Sequence, residues 1–233
     1  MDNKWHIGMT EKAIRQRVAD TALSLVGITE GTVEHNDKIV KVYNSQNKLP
    51  RKYALKPSDP WCAATISVIG IMLGISHIIL PEVGCSPMIE AYRKAGRWEE
   101  RDDYVPAIGD IIMYDWEAKK GECTGAPDHV GMVVNISGKT LTILEGNYED
   151  QCQTRDICVE YIKCRGYCLP DYAALVQPFA DVPGDAWYSE IVSKAAELGL
   201  IEGVGGGLFE PERPITRAEA VALAVRVVEL IGK

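Results

Sequence analysis

The sequence lacks any cluster of lysine and arginine residues, and its formal net charge is −8 over 233 residues. A protein that binds the phosphate backbone of nucleic acid needs a basic surface, so we expect no nucleic-acid partner. Residues 1–8 carry charged side chains where a Sec-type export signal would have its apolar centre. We therefore expect synthesis in the cytoplasm without a Sec signal.

Long apolar runs are also scarce. One segment, residues 61–80, contains no Asp, Glu, Lys or Arg and approaches the length of a membrane-spanning helix. Gly70, Gly74 and His77 interrupt this segment, and Gly74 is a natural helix stop. We predict no membrane span, but a buried helix at the centre of a globular domain.

The seven cysteines include no Cys-x-x-Cys pair, and an odd count without an export signal argues against a disulfide framework. Three cysteines are isolated: Cys62, Cys85 and Cys123. Four crowd together: Cys152, Cys158, Cys164 and Cys168. Because the paired knuckles of zinc sites are missing, unligated thiols are the favoured interpretation of these four and zinc the alternative. We predict no metal and no other cofactor.

A proline-bounded turn leads into the apolar segment at Asp59-Pro60-Trp61-Cys62-Ala63-Ala64. This pattern predicts a helix that begins near Trp61 and carries Cys62 in its first turn. Unpaired backbone N–H groups and the positive end of the helix dipole favour the thiolate there, which is the reactive form. Cys62 is therefore a candidate nucleophile, and the alternative is a small buried apolar residue.

Helical spacing dominates the first hundred residues. Apolar side chains recur with this spacing between Thr10, a candidate cap, and Gly27, and again over residues 38–44. Ser86 and Pro87 predict the start of a further helix as its cap and its first residue.

The spacing then changes to that of strands. Residues 106–114 read as a turn and a strand, and residues 129–134 and 141–146 as two strands joined by a short turn. Two further segments are candidate strands near the sheet edge: 157–162 and 166–169. Helices followed by an antiparallel sheet indicate an α+β domain.

A boundary near Gln177 separates this domain from a segment with a different pattern. A helix is predicted from about Trp187 to Leu198, followed by a glycine-rich loop and a last helix. Thr216 and Glu219 have the capping-box spacing that starts this last helix. The C-terminal segment is thus predicted to be a small two-helix module.

A cysteine nucleophile needs a base and a third group that orients the base. Of the four histidines, His129 opens a predicted strand, where a side chain can be held toward a cleft. Glu145 and Asn147 end the neighbouring strand on one face, and either could accept the second imidazole N–H. The other histidines are assigned to a terminus, a polar stretch and an apolar run: His6, His35 and His77.

Four stretches resemble, in order and spacing, the motifs of CHAP domains, the papain-like amidases and peptidases of cell-wall hydrolases. These stretches are 59–64, 106–112, 128–133 and 145–147. The resemblance implies a papain-like α+β fold over residues 1–176 and peptidoglycan as the substrate. It leaves open whether the enzyme is an N-acetylmuramoyl-L-alanine amidase or an endopeptidase.

The same resemblance implies roles for individual residues. Cys62 would be the nucleophile, His129 the general base and later acid, and Glu145 the orienter, with Asn147 assisting. Some phage members carry a calcium loop of alternating aspartates before the cysteine, whereas this chain has residues 47–53, Asn-Lys-Leu-Pro-Arg-Lys-Tyr, there. We therefore expect no calcium requirement. The four crowded cysteines have no counterpart in this family pattern.

Residues 179–233 resemble one surface-layer homology (SLH) repeat. The stretches that carry this resemblance are 179–183, 187–188, 195–201, 207–211 and 215–219. Such repeats bind secondary polysaccharides of Gram-positive walls. The implied wall-binding residues are Asp181, Trp187, Thr216, Arg217 and Glu219. Arg217 is the strongest of them, because a guanidinium suits a carboxylate fork. The alternative is local pairing of Arg217 with Glu219 or Glu210.

SLH proteins usually carry three repeats, and this sequence contains one. Its last helix is rich in Ala and Val. This helix therefore has more apolar surface than a two-helix unit can bury by itself. We therefore predict a homotrimer formed through the module. Together the features predict a phage endolysin-like hydrolase acting at the Gram-positive wall. The alternatives are a catalytically inactive wall-binding protein and an intracellular cysteine peptidase.

Overall fold

A computed structural model describes residues 5–100, 104–117, 125–176, 178–184 and 186–232. Cys123 and the boundary position Gln177 lie outside these described residues. The chain divides into two compact units. The larger unit comprises Arg15–Tyr172, and the smaller one combines residues before Arg15 with residues after Tyr172.

Helices come first in the chain. Their bounds are α1 (Glu11–Leu23), α2 (Val33–His35), a π-helical turn (Asn36–Val40), α3 (Lys41–Asn44), a 3-10 turn (Pro50–Lys52), α4 (Cys62–Met72) and α5 (Cys85–Lys94). Thr10 caps α1 as predicted, since its Oγ1 accepts from the Ala13 N–H at 3.3 Å. The prediction for α5 was two residues late, because Gly84 is the N-cap and Ser86 lies inside the first turn.

Helix α4 is the predicted buried helix of the larger unit. Every residue of this helix from Cys62 to Gly70 is buried. Gly74 follows the helix with φ 69°, a left-handed conformation that glycine adopts without strain, and confirms the predicted stop. None of the helices among the described residues combines the length and apolar character needed to cross a bilayer.

The strands that follow form one antiparallel sheet, with six strands among the described residues, in the order β1-β6-β2-β3-β4-β5. Their bounds are β1 (Trp98–Glu99), β2 (Ile111–Tyr114), β3 (His129–Ser137), β4 (Thr140–Tyr148), β5 (Gln151–Cys158) and β6 (Cys164–Cys168). The predicted hairpin is confirmed as β3 and β4. Helices followed by this sheet give the α+β fold that the sequence predicts.

Two strand predictions need correction. Strand β5 begins at Gln151, six residues before the predicted segment, because a two-residue turn at Glu149 and Asp150 joins it directly to β4. Both turn residues have positive φ (52° and 59°), the conformation that suits the twist of a tight hairpin. Strand β6 covers residues 164–168, slightly earlier than the predicted 166–169, and its predicted place near the sheet edge is confirmed because it pairs with the edge strand β1.

Helix α4 packs against β3 and β4. The closest approach involves Gly146, where an added Cβ would lie 2.0 Å from Thr65 Oγ1. Any side chain at this position would force the strand away from the helix. The end of β4 is thereby held beside the first turn of α4, which is the turn that begins with Cys62.

The smaller unit contains α6 (Ser189–Glu197) and α7 (Arg217–Ile231). Thr216 caps α7 through the predicted capping box, in which its side chain and that of Glu219 bond reciprocally to backbone N–H groups. A small core forms around Phe179, Val182 and Val192. No described side chain of α7 is buried.

Candidate active site and wall-binding module

A hydrogen-bonded turn fixes the backbone just before α4. The Asp59 carboxylate accepts from Tyr53 Oη at 2.9 Å and from the Lys56 N–H at 2.8 Å. Trp61 is fully buried and donates from Nε1 to Glu30 at 3.2 Å. These contacts on both sides of Pro60 place Cys62 as the first residue of α4, which confirms the predicted position.

Cys62 is suited to be a thiolate. Its side chain is buried, with 7% exposed, and its Sγ lies 3.8 Å from Cys85 Sγ. The hydrogen bond with Cys85, followed by the hydrogen bond and charge of His129, holds the pKa of Cys62 well below its usual range, although burial opposes the shift. The first-turn position adds backbone N–H groups and the helix dipole in the same direction.

His129 is the first residue of β3, as predicted, and is paired in register with Tyr114 of β2. Its ring stacks on Tyr114 and Trp116, with centroids 5.9 and 5.8 Å apart, and lies 6.0 Å from the Tyr148 ring. Its Nε2 is buried and has no hydrogen-bond partner among the described residues. This atom is therefore left to pair with a further side chain inside the protein.

Glu145 is fully buried in β4. Its carboxylate forms a bidentate ion pair with Arg155 of β5, with Nη2–Oε1 at 2.8 Å and Nε–Oε2 at 3.0 Å. Within the described part of the chain, Glu145 has no hydrogen bond to His129. Asn147 has φ 56° and lies where the pairing of β4 with β5 is irregular, between Glu145 and Tyr148.

Arg155 is a site residue that the sequence analysis missed. Its guanidinium lies 5.0–5.5 Å from the centroids of four aromatic rings, those of Tyr114, Trp116, Tyr148 and Tyr161. Three of these rings also contact His129. Glu145 pairs with Gln153, and Arg155 lies two residues further along β5. Arg155 is therefore diagonally opposite Glu145 on the same face of the sheet. Correct bounds for β5 would have revealed this pairing.

His35 is a second residue whose position differs from the sequence interpretation. It lies in a polar stretch but is fully buried, with its ring 4.7 Å from that of Trp61. Neither ring nitrogen has a partner among the described residues, and burial lowers its pKa. The neutral ring therefore serves as packing behind the turn that carries Cys62.

An open pocket of about 430 Å³ adjoins the nucleophile. Cys62 and Cys85 line it, together with Arg51 and Asp128 from the neighbouring loops. Asp128 immediately precedes His129 in the chain, whereas His129 itself does not line the pocket. A substrate group of moderate size can reach Cys62 from this side.

The four crowded cysteines lie at the two ends of β5 and the two ends of β6. Those strands are separated in the sheet by β2, β3 and β4. Among the described residues, no group of three or more His, Cys, Asp or Glu side chains is arranged to hold a metal ion. The sequence cluster does not correspond to one spatial cluster across the sheet.

In the smaller unit, three of the five predicted wall-binding residues make local hydrogen bonds. Asp181 accepts from the backbone N–H groups of Phe209 and Glu210 at 2.8 and 2.7 Å, which lowers its pKa. Thr216 and Glu219 form the capping box of α7. These contacts organise the backbone of the module.

The other two predicted residues are exposed. Trp187 is 85% exposed. Arg213 forms the ion pairs with Glu210 and Glu219 that the alternative interpretation gave to Arg217. Arg217 itself has no ion pair or side-chain hydrogen bond among the described residues, and is exposed. Its guanidinium is therefore available to a ligand.

The geometry brings together a cysteine at a helix N-terminus and a histidine at a strand start, and the histidine helps to lower the pKa of the cysteine. Such a pair is a candidate for nucleophilic attack on carbonyl groups. A family model for the CHAP domain matches residues 56–147, and one for the S-layer homology domain matches residues 178–221. The chain therefore contains a CHAP domain followed by one S-layer homology domain.

Known relatives match the SLH region. The chain is 40% identical over 55 residues to the surface-layer 125 kDa protein of Lysinibacillus sphaericus, and 36% identical over 58 residues to the S-layer protein sap of Bacillus anthracis. These matches cover 24% and 25% of this chain and 5% and 7% of the relatives. The chain thus spans less than a tenth of the curated relatives it matches. No solved structure matches the chain significantly.

The buried ion pair makes a prediction about stability. Arg155→Met leaves the Glu145 carboxylate buried without a cationic partner, and we expect a loss of about 3–5 kcal/mol in the free energy of unfolding. The double variant Arg155→Met/Glu145→Gln removes the unpaired charge and should recover a large part of that loss. Urea unfolding of the wild type, both single variants and the double variant measures the coupling.

A single-variant loss below about 1 kcal/mol would contradict this account, because that is the range of exposed ion pairs. Lys139→Met is the matched control, since Lys139 forms an exposed pair with Glu160. We expect little change in stability from that variant.

Proposed function

We propose that the chain is a peptidoglycan hydrolase of the endolysin or autolysin type that is held at the Gram-positive cell wall. The CHAP domain points to peptidoglycan hydrolysis in general, and the S-layer homology domain to cell-wall binding. The observation that carries the proposal is the placement of Cys62 in the first turn of α4, next to His129. This pair lies inside the CHAP match.

In the proposed mechanism, the Cys62 thiolate attacks an amide carbonyl of peptidoglycan. The carbonyl oxygen becomes an oxyanion, for which the backbone N–H of Cys62 is a suitable donor at the helix start. His129 then gives its proton to the departing amine and later takes one from the water that hydrolyses the thioester. The bond broken is the carbon–nitrogen bond of the amide.

Glu145 is proposed to orient His129, with Asn147 assisting. A carboxylate has about four lone-pair sites, and Arg155 occupies two of those on Glu145. The remaining sites can accept the N–H of the buried, unpartnered His129 Nε2. The bidentate pairing with Arg155 fixes the position of the Glu145 carboxylate, from which it can stabilise the imidazolium formed during the reaction.

Wall binding is assigned to the S-layer homology module, with secondary wall polysaccharide as its ligand. Arg217 is proposed to bind an acidic group of the polymer, because its guanidinium is exposed and unpaired among the described residues. Trp187 is proposed to offer its exposed ring to sugar faces. Asp181, Thr216 and Glu219 would then support the binding surface through their local hydrogen bonds.

Digestion of purified Gram-positive peptidoglycan tests the catalytic assignment. We expect Cys62→Ala to lose activity by a factor on the order of 10⁴ or more, because the nucleophile is removed. Mass spectrometry of the new ends decides the bond: free muramic lactyl groups indicate an amidase, and cleaved stems or bridges an endopeptidase. Cys158→Ala, which changes an exposed cysteine at the end of β5, is the matched control.

If the wild type releases no product that depends on Cys62 from any wall that it binds, the hydrolase proposal is wrong. The domain would then act only in binding. Equal activity in Cys62→Ala would instead show that another residue is the nucleophile.

Co-sedimentation with Gram-positive walls tests the ligand role of Arg217. We expect Arg217→Ala to weaken binding and Arg217→Lys to restore only part of it, since lysine keeps the charge but loses the fork. Lys194→Ala removes the same charge from an exposed residue paired with Glu197 and should bind normally. Equal weakening by both alanine variants would indicate a general charge effect and rule out a specific site.

We also propose that three chains associate through the module. Helix α7 exposes apolar side chains along its length, at Val221, Val225, Val228 and Ile231. Such a patch is stabilised when a partner covers it. Light scattering at micromolar concentration should give the mass of three chains, and Val228→Glu should reduce it to one. A wild-type mass of one chain would refute the trimer.

A further inference from the structure

We propose that Cys62 and Cys85 form a redox modification site, in which peroxide converts the two thiols into a reversible disulfide that blocks the nucleophile. The effect on activity rests on the proposed function, whereas the disulfide itself does not. The primary observation is the 3.8 Å separation of the two Sγ atoms. A disulfide bond is about 2.05 Å long, so the sulfur atoms must approach by somewhat less than 2 Å.

The backbone holds the two cysteines in this relationship. Cys62 begins α4 and Cys85 begins α5. Ser67, in the second turn of α4, holds the segment that leads into α5. Its Oγ donates to the Glu82 carbonyl at 2.6 Å and accepts from the Glu82 N–H at 2.8 Å. Arg51 adds an ion pair to the Glu82 side chain at 3.0 Å. The segment before Cys85 is therefore fixed against the helix that carries Cys62.

A small oxidant can reach the pair, because both cysteines line the open pocket beside the site. The other described cysteines do not line this pocket. Cys152 and Cys168 are buried, and burial raises the pKa of the Cys152 thiol to about 12 and that of Cys168 well above its usual range. Cys158 is exposed and serves as a reference thiol that the oxidant can reach without a partner held beside it.

The two thiols have complementary roles in the reaction. The Cys62 thiolate attacks a peroxide oxygen, so that an S–O bond forms, the O–O bond breaks and the departing hydroxide takes up a proton to become water. Cys85 then attacks the Cys62 sulfur. The S–S bond forms, the S–O bond breaks, and the second hydroxide leaves as water with the proton from Cys85. In total, two thiols are oxidised and one hydrogen peroxide is reduced to two waters.

The first step prepares the second. In the reduced protein, the hydrogen bond with Cys62, burial and the Cys62 charge raise the pKa of Cys85, which therefore stays a thiol. Oxidation of Cys62 to the neutral sulfenic acid removes that negative charge. This removes one of the causes that raise the pKa of Cys85 and so favours its attack on the sulfenic acid.

The experiment treats the full chain with a small excess of hydrogen peroxide and alkylates the remaining thiols. Cleavage after glutamate cuts the chain at Glu82, the one acidic residue between the two cysteines, so the peptides stay linked only through a disulfide. We expect mass spectrometry without reduction to find the Cys62 peptide joined to the Cys85 peptide. Wall hydrolysis should be lost in parallel, and dithiothreitol should restore it.

Cys85→Ser is the control variant. Its activity after peroxide treatment is compared with the activity of the same variant in its reduced form. It cannot form the bridge, so we expect peroxide to carry Cys62 to sulfinic acid and dithiothreitol to restore nothing. Sulfinic acid on Cys62 of the wild type, or a bridge from Cys62 to a different cysteine, would overturn the proposal. A bridge in a protein that is inactive when reduced would support the disulfide and refute the hydrolase function alone.

Discussion

The contact between α4 and the end of β4 is the constraint on which the site depends. Gly146 brings the strand against Thr65, one turn after Cys62, with no room for a side chain. If the strand moved away, His129 on the adjoining strand would move with it, because β3 and β4 are paired along their length. The relative placement of Cys62 and His129 is therefore a property of helix–sheet packing as well as of the two side chains.

Behind this contact, electrostatic and aromatic interactions form a second layer. Arg155 neutralises the buried Glu145, and the rings that surround Arg155 include those stacked on His129. A buried carboxylate without such a partner would take up a proton and lose its charge. The bidentate pair with Arg155 therefore supplies the cationic partner that a buried carboxylate needs.

Local signals allowed much of this architecture to be predicted. The proline turn before Cys62, the apolar strand that begins at His129 and the capping box at Thr216 each depend on neighbouring residues, and each is present in the structure. The Arg155 pairing and the burial of His35 depend on strand register and tertiary packing. An error of six residues in the predicted start of β5 was enough to conceal the ion pair.

Arg155 also has a consequence for solubility. Strand β5 is the outer strand on its side of the described sheet, and residues 27–30 pair only with its beginning. An outer strand can add a strand from another molecule and so start aggregation. A charged side chain that points inward from such a strand opposes this, because a neighbour that pulled β5 out of place would have to separate a buried ion pair. The arginine that pairs with the buried Glu145 thus also protects this outer strand against self-association.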